Sequence, residues 1–184
     1  MSAVNPGRMR ALALLLAVLA VAGCQSTPTA PVPLAENVDL ERFAGDWYVI
    51  GGILTPFEAS ARDAVERYVY RAPDVMETTF EFTVGADGPR RRFNPTGYVQ
   101  PGTGNAVWGM QFLWPFKADY RILRLADDYS FTIVGRQARD YVWVMARSPE
   151  FSELRWEETV AWLESIGYDA GAVTRVPQSS AEAP

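Results

Sequence analysis

The chain contains no histidine and one cysteine, Cys24. Histidine triads, histidine general bases and the common histidine zinc sites are therefore excluded. A disulfide framework is excluded too. No metal site and no cofactor motif is read. Any proton transfer would fall to Asp, Glu, Tyr or Ser. Three acids merit a test, Glu58, Asp63 and Glu66, and they read as solvated loop charges. A carboxylate buried in a pocket with a raised pKa would instead favour an enzyme. Six Trp, eight Tyr and nine Phe call for a large aromatic interior or a ligand cavity, though a β-rich core alone can use them.

Cys24 has its own chemistry. Arg8 and Arg10 precede an apolar run from Ala11 to Ala22, and Gly23 stands before the cysteine. A charged start, an apolar stretch of about a dozen residues and a small-residue cleavage site make a secretory leader over residues 1–23. The run is short of the roughly 20 apolar residues needed to span a bilayer. The ending resembles the lipobox of bacterial lipoproteins, in which Cys24 would be acylated and become the new N-terminus. Several acyl chains, at about 0.8 kcal/mol per buried CH₂, would hold the protein on a membrane. Gln25 stands where an aspartate would resemble the inner-membrane retention signal. The expected location is the outer membrane, lipid-anchored, on its periplasmic face.

Residues 24–36, rich in Pro, Thr and Ala, read as a flexible tether. Residues 37–177 form one globular domain, and 178–184 a disordered tail. The formal net charge is −5, and removal of the leader's arginines makes it more negative. An acidic chain is a poor nucleic-acid binder and has no polybasic route to anionic lipid.

Successive short runs with turn signals between them predict strands. These are Asp46–Gly52, Val65–Arg71, Val75–Val84, Arg92–Gln100 with Pro95 as an interruption, Ala106–Leu113, Tyr120–Leu125, Tyr129–Gly135 and Tyr141–Ala146. The third is the clearest: Met76, Thr78, Phe80, Phe82 and Val84 alternate with Val75, Glu77, Thr79, Glu81 and Thr83,. Then the period changes. Ser152 caps a predicted helix that Gly167 stops, with Trp156, Val160, Leu163 and Ile166 on one stripe. Val173–Val176 could close the sheet. The expected fold is all-β: an eight-stranded antiparallel up-and-down barrel with one C-terminal helix packed outside.

Gly45-Asp46-Trp47 opens the first strand and resembles the Gly-x-Trp signature of the lipocalins. Asp127-Asp128-Tyr129 resembles that family's turn between its sixth and seventh strands, with Asp127 in place of threonine. Arg147 resembles the arginine that ends the eighth. Trp114-Pro115-Phe116 and Asp140-Tyr141-Val142-Trp143 resemble stretches of bacterial outer-membrane lipocalins and apolipoprotein D. Gly45, Trp47, Asp128, Tyr129 and Arg147 are then structural: Trp47 plugs one end of the barrel and Arg147 lies across it. No residue is assigned a catalytic role, and the chain is read as a binding protein rather than an enzyme.

Strand parity gives the cavity lining. Trp47 points in, so Val49 and Gly51 do too. Arg147 reaches the plug, so Tyr141, Trp143 and Met145 face inward. Met76, Phe80 and Phe82 follow, then Trp108, Met110 and Phe112. The phase of Tyr129 adds Phe131 and Ile133. For Tyr120–Leu125 the inward face is ambiguous, since either face carries an arginine, Arg121 or Arg124. Tyr120, Tyr141, Arg62 and Arg139 are expected near the mouth, under a rim loop at 53–64. The resemblance implies a fatty acid or lysophospholipid ligand, and storage, transport or envelope maintenance as the role. A lipocalin-fold enzyme acting on a lipid and a structural lipoprotein with a filled barrel are the alternatives. A homodimer is left open.

Overall fold

The computed structural model describes residues 30–179 of the chain. Cys24 and the leader lie outside the described residues. The globular part begins with a one-turn helix, α1 (Leu40–Phe43). Asp39 caps it by accepting from the backbone N–H groups of Glu41 and Arg42 at 3.0 and 3.1 Å,. Leu40 and Phe43 are buried.

The wall follows as β1 (Gly45–Ile53), β2 (Ala61–Arg71), β3 (Val75–Val84), β4 (Arg90–Phe93), β5 (Thr96–Val99), β6 (Val107–Leu113), β7 (Phe116–Leu125), β8 (Phe131–Gly135) and β9 (Val142–Ala146). β4 and β5 both pair with β3 and act as one wall strand broken at Asn94–Pro95. Pro95 has no N–H to give to a ladder. Neighbours pair antiparallel throughout, and β9 returns to β1 with Tyr48 opposite Ala146 and Ile53 opposite Val142. The result is a closed eight-stranded antiparallel barrel.

Two apolar layers result. Inside are Trp47, Val49, Tyr68, Met76, Phe80, Phe82, Trp108, Met110, Ile122, Val134 and Met145. Outside, the helix α2 (Glu153–Ser165) covers Ile50, Phe131, Ile133, Val142 and Val144 with Trp156 and Leu163. Ser152 caps this helix, accepting from the Arg155 N–H at 3.3 Å. Gly51 lets the helix sit close. A Cβ there would lie 2.4 Å from the Thr174 carbonyl oxygen and 2.5 Å from the Trp156 ring. The ladder shifts by a bulge between Val49 and Gly51, which turns Gly51 outward, not inward as simple alternation predicts.

The chain's last described stretch completes the wall. β2 pairs with β1 only from Gly45 to Tyr48. Beyond that, β10 (Thr174–Arg175) pairs with Gly51 and Gly52. Gln178 bridges the parted strands: its Nε2 donates to the carbonyls of Val49 at 2.9 Å and Ala64 at 3.1 Å. The expectation of a loose tail from Gln178 is therefore corrected for that residue, which is buried. The expectation of a tether over 24–36 is likewise corrected for Val32 and Ala35. Val32 is buried in the outer layer, and the Ala35 N–H donates to the Ile122 carbonyl at 2.8 Å. Both segments satisfy barrel backbone groups that would otherwise stay unpaired.

Candidate functional site

One end of the barrel is sealed by a guanidinium. Gly45 takes a φ of +99°, and a Cβ on it would stand 3.1 Å from an Arg147 nitrogen, so only glycine suits both backbone and neighbour,. The Arg147 guanidinium lies 3.9 Å above the Trp47 ring,. It donates to the carbonyls of Arg42, Ala44 and Asp46 at 2.8, 2.9 and 2.8 Å and to that of Phe43 at 3.1 Å. Trp47 Nε1 donates to the same Phe43 carbonyl at 2.8 Å. Asp128 shapes the adjacent turn by accepting from the Ser130 N–H at 3.0 Å. The Tyr129 hydroxyl accepts from the Asp39 N–H at 2.9 Å, and Arg42 lies 4.1 Å over its ring. The five signature positions thus tie α1, β1 and the turn before β8 into one plug.

Above the plug the interior is filled by rings. Phe43, Trp47, Tyr68, Trp108 and Tyr120 pack with centroid separations between 5.0 and 5.8 Å. Higher still the wall parts around a cavity of about 480 Å³, within the roughly 300–1,000 Å³ range of small-molecule sites. Phe80, Phe82, Met110, Tyr141 and Trp143 line it, with Phe93 and Phe112 nearer the opening. Phe112 is 63% exposed and Phe57 81%, which places both at the rim.

The residues expected to line the cavity divide three ways. Phe80, Phe82, Met110, Phe112, Tyr141 and Trp143 lie on its surface. Val49, Met76, Trp108 and Met145 face inward but belong to the filled layer beneath it. Phe131 and Ile133 are corrected: they pack outside, under α2. Tyr129 takes a φ of +60°, so alternation cannot be carried through it into β8. The inward side chains of β8 are those of Thr132 and Val134, and helix coverage buries both faces of the strand. A bulge between Ile122 and Arg124 resolves β7. Tyr120 and Ile122 face in, while Arg124 turns out, 5.5 Å from the Trp162 ring.

The polar groups sit where sequence reasoning did not place them. Tyr120 is on the cavity floor rather than at the mouth, and its hydroxyl is 2.5 Å from that of Tyr68. Arg139 donates to the Ile166 carbonyl at 2.7 Å, at the C-terminal end of α2. Asp63 faces away from the cavity, accepting from the Ser179 N–H and hydroxyl at 2.6 and 2.9 Å. Glu66 and Glu58, by contrast, both line the cavity. Glu66 stands opposite Trp47 on one side and Phe80 on the other. Burial raises its pKa to about 8, a hydrogen bond from Tyr68 opposing and the Glu58 charge adding to the rise,. Burial also pushes Glu58 up, although Thr55 holds it by its N–H at 2.9 Å and its hydroxyl at 2.6 Å. The signal for Glu66 was present in the sequence: it shares period-two parity with Tyr68 in the second predicted strand. At the mouth, Arg136 pairs with Asp140 at 3.1 Å while its buried Nε has no hydrogen-bond partner.

A family profile described as a lipocalin-like domain matches residues 38–178. The outer membrane lipoprotein Blc of Escherichia coli strain K12 is 26% identical over 174 residues, covering 92% of this chain and 98% of Blc. Temperature-induced lipocalin-1 of Arabidopsis thaliana is 22% identical, covering 79% of this chain and 82% of its own. Among solved structures, insecticyanin of the tobacco hornworm Manduca sexta matches with a TM-score of 0.62 at 16% identity, over 79% of this chain and 83% of that one. Lobster apocrustacyanin A1 matches with a TM-score of 0.59 at 16% identity, over 83% and 93%. At such identities the structural likeness speaks to the fold alone.

Proposed function

The chain belongs to the lipocalin-like family, and from that premise we propose a lipid-anchored outer-membrane protein that holds a fatty acid or lysophospholipid in its barrel. The observation that carries this reading is a cavity sealed at one end and walled mainly by aromatic side chains and Met110, with Glu58, Glu66, Asp119 and Arg136 as its charged members. Each buried CH₂ contributes about 0.8 kcal/mol. A dozen methylenes would then supply about 10 kcal/mol before ordering costs, enough for micromolar binding or better. Met110 adapts its shape to tails that differ in bend. The tail lies inside, and a charged head stays at the mouth, beside the Arg136 side chain that lines it. Relatives such as Blc are named as outer membrane lipoproteins, and the Cys24 motif supports the same anchorage here. Storage or delivery of lipid for the upkeep of the envelope fits a carrier held on the membrane.

Glu66 favours one second reading. A neutral carboxylic acid in a lipid cavity is a potential general acid. Binding takes precedence because the side chains that stand across the strands from Glu66 are Trp47 and Phe80, neither of which can act as a nucleophile.

The test is titration of a fluorescent fatty acid into lipid-stripped protein. Phe80→Asp puts an unpaired carboxylate where the tail lies and should weaken binding at least tenfold, about 1.4 kcal/mol. Glu81→Gln, one residue along and facing out onto Arg92, should stay within about twofold of wild type. Equal losses in both variants would overturn the cavity assignment. No binding by folded wild-type protein would overturn the lipid reading.

A further inference from the structure

We propose that Glu66, Tyr68 and Tyr120 form a subsite on the cavity floor for an uncharged oxygen acceptor, a keto or ester oxygen carried within an acyl chain. The inference rests on the lipid reading above and names a finer ligand class. An all-alkyl tail needs no polar floor, and burying one unpaired is costly. This floor nonetheless places Glu66 and Tyr120 on the lining of the space where a tail would end.

The number of hydrogens fixes what the floor can bind. The Tyr68 and Tyr120 hydroxyls are linked at 2.5 Å, and Glu66 stands two positions before Tyr68 on β2. With Glu66 protonated, the three groups carry three polar hydrogens, one each. One is used by the link between the tyrosines. The carboxyl hydrogen of Glu66, which lines the cavity, is not needed for that link. A ligand oxygen that accepts it completes the network, whereas a methylene leaves the donor unpaired. With Glu66 ionised, that hydrogen is gone and a negative charge takes its place, which a keto oxygen cannot satisfy.

The surroundings favour the protonated form at neutral pH. Trp47 of β1 and Phe80 of β3 flank Glu66, and the hydroxyls of Tyr68 of β2 and Tyr120 of β7 pair with each other. The charge bearing on it is that of Glu58 in the rim turn, which disfavours ionisation further. Asp119 and Arg136 line the same cavity nearer the mouth. Each has an opposite charge of its own, Arg121 at 2.9 Å and Asp140 at 3.1 Å. Burial holds both tyrosines far above their usual pKa, so they stay hydrogen-bond donors.

The test compares stearic acid with its 9-, 12- and 15-oxo derivatives, titrated into lipid-stripped protein at pH 6.5 and pH 9.5. At pH 6.5 one oxo acid should bind at least tenfold more tightly than stearic acid. At pH 9.5 that advantage should fall at least threefold in wild type. Glu66→Gln, whose amide keeps a donor at every pH, should hold the advantage at both. Glu66→Leu should lose it at both. The ratio of oxo acid to stearic acid cancels pH effects on the rest of the protein. If stearic acid binds and no oxo acid gains at pH 6.5, the subsite is overturned while the lipid reading stands. If no acid binds, both fall. An advantage that is independent of pH in wild type, or that survives in Glu66→Leu, also overturns the proposal. Should either variant fail to fold, the wild-type pH series decides alone.

Discussion

Removing Arg147 tests the idea that the sealed end acts as one unit. In Arg147→Ala the carbonyls of Arg42, Phe43, Ala44 and Asp46 lose a shared charged donor, and the Trp47 ring loses a cation at 3.9 Å. Fully buried charged hydrogen bonds are worth about 1.5–3 kcal/mol each. The group is only half-buried and water can replace part of the set, so the four bonds together should cost about 2 kcal/mol. The cation–π contact adds about 1 kcal/mol, giving a loss of about 3 kcal/mol. Trp47→Ala should cost about 3–5 kcal/mol as a large buried aromatic. Arg147 and the Trp47 indole donate to the same Phe43 carbonyl, so deleting either loosens the other. The double variant should therefore fall short of the summed losses by at least about 1 kcal/mol. Arg147→Lys keeps the charge without the planar fork and should still lose about 2 kcal/mol. Urea unfolding of ligand-free protein, read by circular dichroism, gives the four corners of the cycle. Strict additivity, or a lysine variant as stable as wild type, would refute the plug.

Three further outcomes follow from other parts of the molecule. Glu66 has a folded pKa of about 8, above the roughly 4.3 of an unfolded glutamate. Its favourable contribution is thus fully present below about pH 4 and is lost as pH rises through 8. Wild type should lose on the order of 5 kcal/mol of stability over that window, read from denaturant unfolding, whereas Glu66→Gln should be flat for this component, and an identical decline in the variant would sink the assignment. Cys24→Ala should move the protein from the detergent phase to the aqueous phase and abolish acyl mass. Full retention with acyl mass would show the anchor to lie elsewhere. Trp108→Ala should lower the cavity floor at a cost of about 3–5 kcal/mol and shift the preferred fatty acid to a longer chain. An unchanged length preference in competition binding would mean that Trp108 does not limit depth.

What could be read in the sequence depended on uninterrupted alternation. β3 and β9 carry their inward residues at every second position without a break, so Phe80, Phe82, Tyr141 and Trp143 could be assigned from parity. Wherever the backbone inserts a residue or takes a positive φ, parity fails. Gly51 follows a bulge, Phe131 and Ile133 follow the left-handed Tyr129, and β7 carries a bulge in its middle. A bulge has no hydrophobic signature, since it shifts the phase without altering composition. β8 posed a second difficulty, because α2 covers its outer side and all five residues are buried. Alternation then carries no information about which side faces the ligand. Glu66 was misjudged for a different reason. Its charge suggested solvent, while its parity with Tyr68 placed it inside, and parity was the better guide.

Depth, by contrast with inwardness, is set by side-chain volume at each level of the barrel. Near the plug, Phe43 enters from α1 and meets Trp47, Tyr68 and Trp108 within 5.1 to 5.4 Å. Four large rings at one level leave no space, which is why Met76 and Met145 are inward yet touch no cavity. One level higher no ring enters from α1, and Phe80, Met110 and Trp143 stand around an empty centre. Glu66 lies at the junction, one position along β2 parity from the ring layer and directly beneath the open space. A carboxyl group in the ring layer would need a partner within a packed core. Placed farther out it would be solvated and ordinary. At the junction it is dry enough to stay protonated and open enough to be reached, and that combination makes the end of the cavity able to tell one acyl chain from another.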